Sequence, residues 1–524
     1  MAKHLVQRMF PSPLRAISVE FSSGDIGSHF NNALLETTFM LRFQKRFSFV
    51  LRSCTAIPVA LVLLAGCKVG PDYHVPKVDA PAQWASNLAG GETNGPPDIE
   101  TWWKNFADND LNSLVATAVQ SNLTLHVAEA RVREARAQKG VTAGALWPSV
   151  GSSAGYSRNR YGQNSFPPVA GIPLDFNLYN VAFDAKWELD VFGGTRRAVE
   201  AANAQVGATE YSERDVLISL LAEVARNYIE ARAYQQRLVI AHENIRAQQN
   251  IVDLTSDRFQ SGLGNQLDIE QAKALLTATT AQVPSLETGF VEAVHNLEVL
   301  LGQGPGTLTD QMSGTKSIPL TPPSVPVGLP SDLLQRRPDI RQAERELASA
   351  TARIGVAKAD LFPKFSLTGI AGVQSVDAST FLQYASRYWS AGPSVQWPLF
   401  KAGSLRANVR VQNARQEEAL NQYKQTVLVA LKDAESALTA YAKEQMRRES
   451  LTQSVQADNR ATEMAAQLYK SGLVDFLRVL NSQSSLYAAQ DALVQSDQAV
   501  SLNLVQLYKV LGGGWQNEYK AASR

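Results

Sequence analysis

The 524-residue sequence has almost no cysteine: Cys54 and Cys67 are the only two. Two thiols cannot build a disulfide framework or a cysteine-rich zinc site. Neither sign of charge is in excess, with 50 Lys and Arg against 49 Asp and Glu. No broad basic field therefore exists to hold nucleic acid. Long apolar runs are missing as well. A helical membrane span needs roughly 20 apolar residues, and one short block near the N-terminus is all there is, which excludes a polytopic helical transporter. No glycine-rich phosphate loop, metal-spaced His or Cys cluster or Ser-His-Asp set is evident, so the sequence offers an enzyme no site and calls for no cofactor. His74, His126, His242 and His295 are scattered and read as surface or packing residues; Glu417-Glu418 reads as a solvated helix face.

Glycine and proline are missing where they would interrupt a helix. Thr195 to Gln260 contains no proline and one glycine, Gly207, and Ser404 to Lys470 contains neither. At 1.5 Å per residue each stretch predicts a helix of roughly 100 Å, a length that calls for a coiled-coil partner. Leu217, Val224, Ala231, Leu238, Ile245, Val252 and Phe259 recur every seven residues. Val427, Leu431, Ala434, Leu438 and Tyr441 alternate at four and three, so long helices packed side by side are expected.

These stretches belong to an internal duplication. Asn122 to Pro148 aligns without gaps on Arg337 to Pro363, pairing Gly140 with Gly355, Leu146 with Leu361 and Pro148 with Pro363. Arg258 to Leu263 aligns on Leu468 to Leu473. Between the copies, Gly302 to Pro330 is rich in Gly, Pro, Thr and Ser and reads as a crossing linker.

Each copy also predicts two strands. Tyr179, Val181, Phe183, Ala185, Trp187 and Leu189 alternate with Asn180, Ala182, Asp184, Lys186, Glu188 and Asp190. In the second copy Trp389, Ala391, Val395, Trp397 and Leu399 alternate with Ser390, Gly392, Ser394 and Gln396. Strands are expected at about 149–161, 178–189, 364–373 and 388–399. Segments of about ten residues with apolar-out, polar-in alternation and aromatic ends are the pattern of a transmembrane β-barrel; a soluble sandwich with one buried face shares the alternation. Four strands are too few to close a barrel, so several chains must contribute to one. Gly162–Phe176 and Gln374–Arg387 are the expected outer loops, and Gly193-Gly194 and Ala402-Gly403 the strand-to-helix turns.

The N-terminus reads as a secretory signal from Met40: basic Arg42, Lys45, Arg46 and Arg52, then apolar Ala56 to Leu64. Leu64-Ala65-Gly66-Cys67 resembles a bacterial lipobox, which implies a covalent lipid on Cys67 as first residue of the mature protein. Residues 1–39 do not fit a signal, so Met40 is the expected start. Lys68 after Cys67, where many retained lipoproteins have Asp, implies by resemblance the outer membrane. The expected division is a non-mature segment 1–66, a tether and equatorial segment 67–110, a first repeat 111–302, a linker 303–330, a second repeat 331–515 and a tail 516–524.

Cys67-Lys68-Val69-Gly70-Pro71-Asp72-Tyr73, Leu333-Leu334-Gln335-Arg336-Arg337-Pro338-Asp339-Ile340 and the paired Ser-Gly-Leu turns resemble the TolC-like outer-membrane efflux protein family, in its OprM-like and NodT-like lipoprotein branch. The resemblance covers essentially Cys67 to Trp515. It implies a mixed α/β membrane protein: an internally duplicated chain with four transmembrane strands and very long coiled-coil helices. It further implies a homotrimer with a 12-stranded β-barrel in outer-membrane lipid, continued by a periplasmic α-barrel. The partners it implies are a periplasmic adaptor and an inner-membrane RND-type pump. Such a tube is a passive exit duct of a tripartite efflux pump. The duct of a type I protein secretion system is the alternative, and a structural coiled-coil lipoprotein a second one.

The turns Ser261-Gly262-Leu263 and Ser471-Gly472-Leu473 should lie at the periplasmic tips. By resemblance Arg258, Gly262, Leu263, Lys470, Gly472 and Leu473 meet the adaptor. The family's aspartate and tyrosine gate residues fall on Asp268 and Tyr469. Its arginine partner falls on Val474, and its two acidic constriction positions on Arg478 and Asn481, so the acidic ring does not carry over. Arg478 is expected to pair with Asp268 or Asp475, or else to place positive charge at the aperture and favour anions. Leu473, Phe476 and Leu480 are candidates for an apolar constriction or for ordinary helix packing.

Overall fold

Eight helices carry most of the chain: α1 (Asn109–Ser121), α2 (Leu123–Gly144), α3 (Gly194–Gln260), α4 (Gln266–Thr280), α5 (Val283–Leu300), α6 (Pro338–Ala359), α7 (Ser404–Lys470) and α8 (Phe476–Val510). The computed structural model describes residues 68–78, 81–85, 92–93, 95, 99–162, 174–319, 321–322 and 325–516. The signal-like segment, Cys54, Cys67, the tail after Gln516 and residues 163–173 of the expected outer loop lie outside these. All described residues belong to one unit, 66–524. None of the described helices is long and apolar enough to cross a membrane.

Helices α3 and α7 have 67 residues each, about 100 Å at 1.5 Å per residue. Shorter helices flank them end to end. Along the first half of α3 lie α2, joined through Arg136–Glu210 and Lys139–Asn203, and α6, which packs on α7 as well. Along its second half lie α5, where Gly289 leaves room for Tyr234, and α8, tied by Arg237 to Asp491 at 2.6 Å. The heptad stripe of α3 is buried or half-buried from Leu217 to Val252, but Phe259 is exposed. The return helix of the first repeat breaks between α4 and α5, at Ala281 and Gln282, just before Pro284. Proline there removes a backbone donor and cannot continue the α4 ladder.

A large apolar core sits at mid-length, where Trp102 stacks on Tyr508 at 5.4 Å among Phe106, Leu111, Tyr228 and Leu297. The linker is pinned into it. Buried Glu298 accepts from the amides of Gly306 and Leu308, and buried Arg232 donates to Asp110 and to the Gly314 carbonyl. The Arg336-to-Ile340 run joins the second repeat to the end of the chain. Pro338 opens α6 and Arg337 forks onto Asp339. Arg337 also reaches the Val510 carbonyl, while the Trp515 indole donates to Arg336 O.

Apart from a two-residue parallel pair, Glu92–Thr93 with Val325–Pro326, the described strands are β1 (Ser149–Arg160), β2 (Asp175–Leu189), β3 (Lys364–Ser375) and β4 (Arg387–Gln396). The second begins three residues before its expected start. The last stops at Gln396, because Pro398 offers no amide to a ladder, so Trp397 and Leu399 lie beyond it. Of the expected loops, Asp175 and Phe176 are in β2, Gln374 and Ser375 in β3 and Arg387 in β4. The sheet is antiparallel in the order β1-β2-β3-β4, and its central pair joins the two repeats, with Val181 opposite Val373. Register sorts the faces. Ser152, Phe183, Ala371 and Trp389 form one row, and Val150, Ala185, Gly369 and Ala391 the next. The opposite face carries Gly151, Asp184, Ile370 and Ser390, then Ser149, Lys186, Thr368 and Gly392. Nearly every one of these side chains is exposed, so among the described residues no core lies beneath the sheet. At the strand-to-helix end the indoles of Trp187 and Trp397 donate to the carbonyls of Leu146 and Leu361, the same contact in both repeats.

Gly193 and Gly403 immediately precede α3 and α7, both left-handed (φ 75° and 78°), a conformation glycine adopts without steric cost. Asp190 caps α3 by accepting from the amides of Thr195 and Arg196. The tether lies against this junction. Arg197, 1% exposed, donates to the carbonyls of Val69 and Gly70 and to Asp72 at 2.8 Å. Lys68 pairs with Glu200, and the Tyr73 hydroxyl donates to buried Glu344. Beside Arg197, Asp72 is held below the usual carboxylate range by their hydrogen bond and by the guanidinium charge. Gly355 makes the fit possible: a Cβ there would lie 2.7 Å from Arg197 Cγ, and one on Gly70 2.5 Å from Gly355 Cα. Gly355→Ala should therefore cost about 1–3 kcal/mol through overpacking and free the tether. Proteolysis before Tyr73 should become faster; wild-type cleavage and unchanged thermal unfolding would contradict this account.

Candidate functional site

The ends of the long helices form the candidate site. Two helix-turn-helix tips have the same backbone. Gly262 and Gly472 are left-handed (φ 73° and 74°). The amides of Leu263 and Leu473 return to the carbonyls of Arg258 and Leu468, and those of Gly262 and Gly472 to Phe259 and Tyr469. This is the Schellman arrangement that satisfies the last carbonyls of a helix. Asn265 and Asp475 cap the returning helices by accepting from the amides of Asp268 and Arg478.

The side chains on these matching turns differ. Tyr469, at the end of α7, is 3% exposed and packs with Ile251, Val252, Ala272, Phe476 and Val479 in a small core of its own. Its ring lies 5.5 Å from that of Phe476, and its hydroxyl donates to Asp268 Oδ2 at 3.4 Å. Burial and, after it, the Asp268 carboxylate push the phenol's pKa up, which keeps its proton available for that bond. The Arg258 guanidinium lies 4.7 Å over the same ring. It donates to the carbonyls of Tyr469 (3.0 Å), Lys470 (3.2 Å) and Leu263 (3.2 Å). At the matching place in the first repeat, Phe259 is 43% exposed.

Asp268 and Tyr469 are thus brought together within one chain. The Arg478 side chain forms no ion pair with Asp268 or Asp475 among the described residues; what Asp475 accepts is the backbone amide of Arg478, a capping bond that helix geometry favours. Arg478 and Asn481 are exposed on α8. Phe476 is buried and Leu480 packs against the same small core, so both belong to helix packing, whereas Leu473 and Leu263 are exposed. Gly262, Gly472 and Lys470 are at the exposed ends of the turns. Arg258 is committed to internal carbonyls instead of presenting a free guanidinium. Its role escaped the sequence reading because the carbonyls it binds are 211 and 212 residues away; the visible signal was its alignment with the apolar Leu468. The Arg197 clamp escaped for the same reason. His74, His126, His242 and His295 are all exposed, and among the described residues no His, Cys, Asp and Glu cluster could hold a metal.

Residues 114–303 and 329–513 match the outer membrane efflux protein family, one segment per repeat. Among characterised relatives, the chain is 33% identical over 469 residues to the pyoverdine export outer membrane protein OpmQ of Pseudomonas aeruginosa, covering 89% of this chain and 98% of that protein. It is 31% identical over 475 residues to the cation efflux system protein CusC of Escherichia coli, covering 88% and 99%. Among solved structures, the outer-membrane channel OprN superposes with a TM-score of 0.81 at 38% identity, over 86% of this chain and 100% of that one. With both repeats matched and these lengths shared, the chain belongs to the outer membrane efflux protein family.

Proposed function

We propose that this protein is the exit duct of a tripartite efflux pump, a passive conduit for small molecules through the outer membrane and the periplasm. The carrying observation is the sheet: one face apolar, one polar, and both edges unpaired. An open edge in hydrocarbon leaves backbone groups unsatisfied at several kcal/mol each, so β1 and β4 must find partners in other copies. Three copies of four strands make the barrel, and the long helices continue the tube. The polar faces line it with water and lower a barrier without chemistry, so the energy comes from an inner-membrane RND-type pump acting through a periplasmic adaptor. The protein has no catalytic role. A type I secretion duct would have the same wall and a different partner; relatives named for pyoverdine export and cation efflux favour small cargo. A structural coiled-coil lipoprotein leaves the registered sheet without a purpose.

The duplication supplies the contact between copies. Inside the chain, Arg197, fourth after the left-handed Gly193, packs on Gly355 of α6. Its counterpart, fourth after Gly403, is Ala407, and Gly140, the counterpart of Gly355, has nothing within 4 Å of where a Cβ would sit. The rotation that carries repeat one onto repeat two brings Ala407 of one copy onto Gly140 of the next and adds β4 to β1. Protein extracted from outer membranes in mild detergent should have the mass of three chains. Gly140→Cys with Ala407→Cys should cross-link neighbours into dimers and trimers; a monomer, or cross-linking no better than with distant cysteine pairs, contradicts the closed ring.

Cys67 carries a covalent lipid that anchors the chain at the membrane surface. Palmitate label should be lost in Cys67→Ser, and label retained would contradict the lipid site. The exposed tips Gly262, Leu263, Lys470, Gly472 and Leu473 are the adaptor surface, and Asp268 with Tyr469 holds the aperture shut. Arg478 and Asn481, three of each in the trimer, replace acids with positive and neutral groups and favour anions. Arg478→Ala should shift the reversal potential in a salt gradient toward cation selectivity; an unchanged potential would remove Arg478 from the aperture.

A further inference from the structure

We infer that Arg258 is a positioning residue of the closed aperture, a clasp that locks the two tips of one chain together. The inference rests on the channel reading above. Its guanidinium gathers three carbonyls, two at the end of α7 and one in the first turn. The last carbonyls of a helix lack intrahelical donors and carry the negative end of its dipole. One cation at that point satisfies groups of both tips at once. It also lies over the Tyr469 ring, on the side chain whose hydroxyl reaches Asp268.

The arrangement is therefore a three-part lock. Asp268, from the returning helix α4, takes the Tyr469 hydroxyl, and Arg258, from the end of α3, holds the ring and backbone of the same residue. Moving α7 away from α3 and α4 breaks all of these together. The Arg258 Nε is itself buried and has no partner, a cost sustained only while the other contacts hold. The second repeat has no copy of the clasp. Leu468 stands at the place of Arg258, and Arg478 at the place of Asp268. A trimer so built has three clasps, each within a chain, and none of this type between chains. Lysine cannot substitute fully, because a single ammonium lacks the planar fork that reaches several acceptors.

The test is single-channel recording of the purified full-length protein in planar bilayers. The variants are Arg258→Ala, Arg258→Lys, Tyr469→Phe, Asp268→Asn and the double variant Arg258→Ala with Tyr469→Phe, each first checked for native oligomer mass. Arg258→Ala should raise open probability about tenfold, the factor set by about 1.4 kcal/mol, with Arg258→Lys between it and wild type. The double variant should open by less than the product of the two single effects, since both groups act in one unit. Adaptor binding by Arg258→Ala, measured by pull-down of the cognate adaptor, should match wild type. Wild-type gating in Arg258→Ala and Arg258→Lys while Tyr469→Phe or Asp268→Asn opens the pore would overturn the clasp and leave the channel standing. So would adaptor binding lost at unchanged conductance, or effects that simply multiply. If no variant, nor the wild type, conducts, the channel reading itself falls and the clasp with it.

Discussion

The constraint on which the rest depends is that a strand edge facing hydrocarbon must find a hydrogen-bonding partner. Each chain has a sheet with a polar and an apolar face and no layer packed on either, an arrangement unstable in water and in lipid alike. Closure into the proposed ring would resolve both problems. The apolar rows through Phe183 and Trp389 would meet lipid, the rows through Asp184 and Lys186 would meet water, and the edges would vanish. Tryptophans at the helix junction, anchored by hydrogen bonds to Leu146 and Leu361, suit an interface where one end of the ring is apolar and the other wet.

Quasi-equivalence of the two repeats turns this constraint into an assembly. A contact made once inside the chain, such as Arg197 on Gly355, has its repeat counterparts left open on the outer edges, at Ala407 and Gly140. Identity between the repeats preserves backbone geometry, as in the matching tip turns. Differences between them carry the particular roles. The tether fills the interior junction, where Gly70 and Gly355 approach too closely for any side chain. The clasp residue Arg258 faces Leu468 in the alignment, and buried Tyr469 faces exposed Phe259.

Extensive and slight packing are separated along the long helices. At mid-length the linker is fixed by buried charged groups, Glu298 on two amides and Arg232 on Asp110 and a carbonyl, around a large apolar core. Removing one partner from such a pair is expensive, so this level is a fixed collar. The tip has only a small core around Tyr469 and a few polar links, a region whose opening costs little compared with unfolding the collar.

Much of this was legible in the sequence because it depends on local periodicity. Glycine-free and proline-free runs with heptads specify α3 and α7, alternation specifies the strands, and self-similarity exposes the duplication; bounds moved by one to three residues, and Pro398 explains the shortened β4. Asp268 and Tyr469 were placed by alignment alone, and their contact became visible only in three dimensions. Side chains that reach across long separations were not legible: Arg258 onto α7, Arg197 onto the tether, Phe476 and Leu480 into the tip core instead of the lumen. Periodicity reports which face of an element is apolar, because that depends on neighbours three, four or two residues away. Which charged side chain meets which carbonyl depends on how helices cross, and that is set by packing between segments some two hundred residues apart. The sequence by itself determined the helices, strands and repeats, and the tertiary structure decided which side chains tie the two tips together.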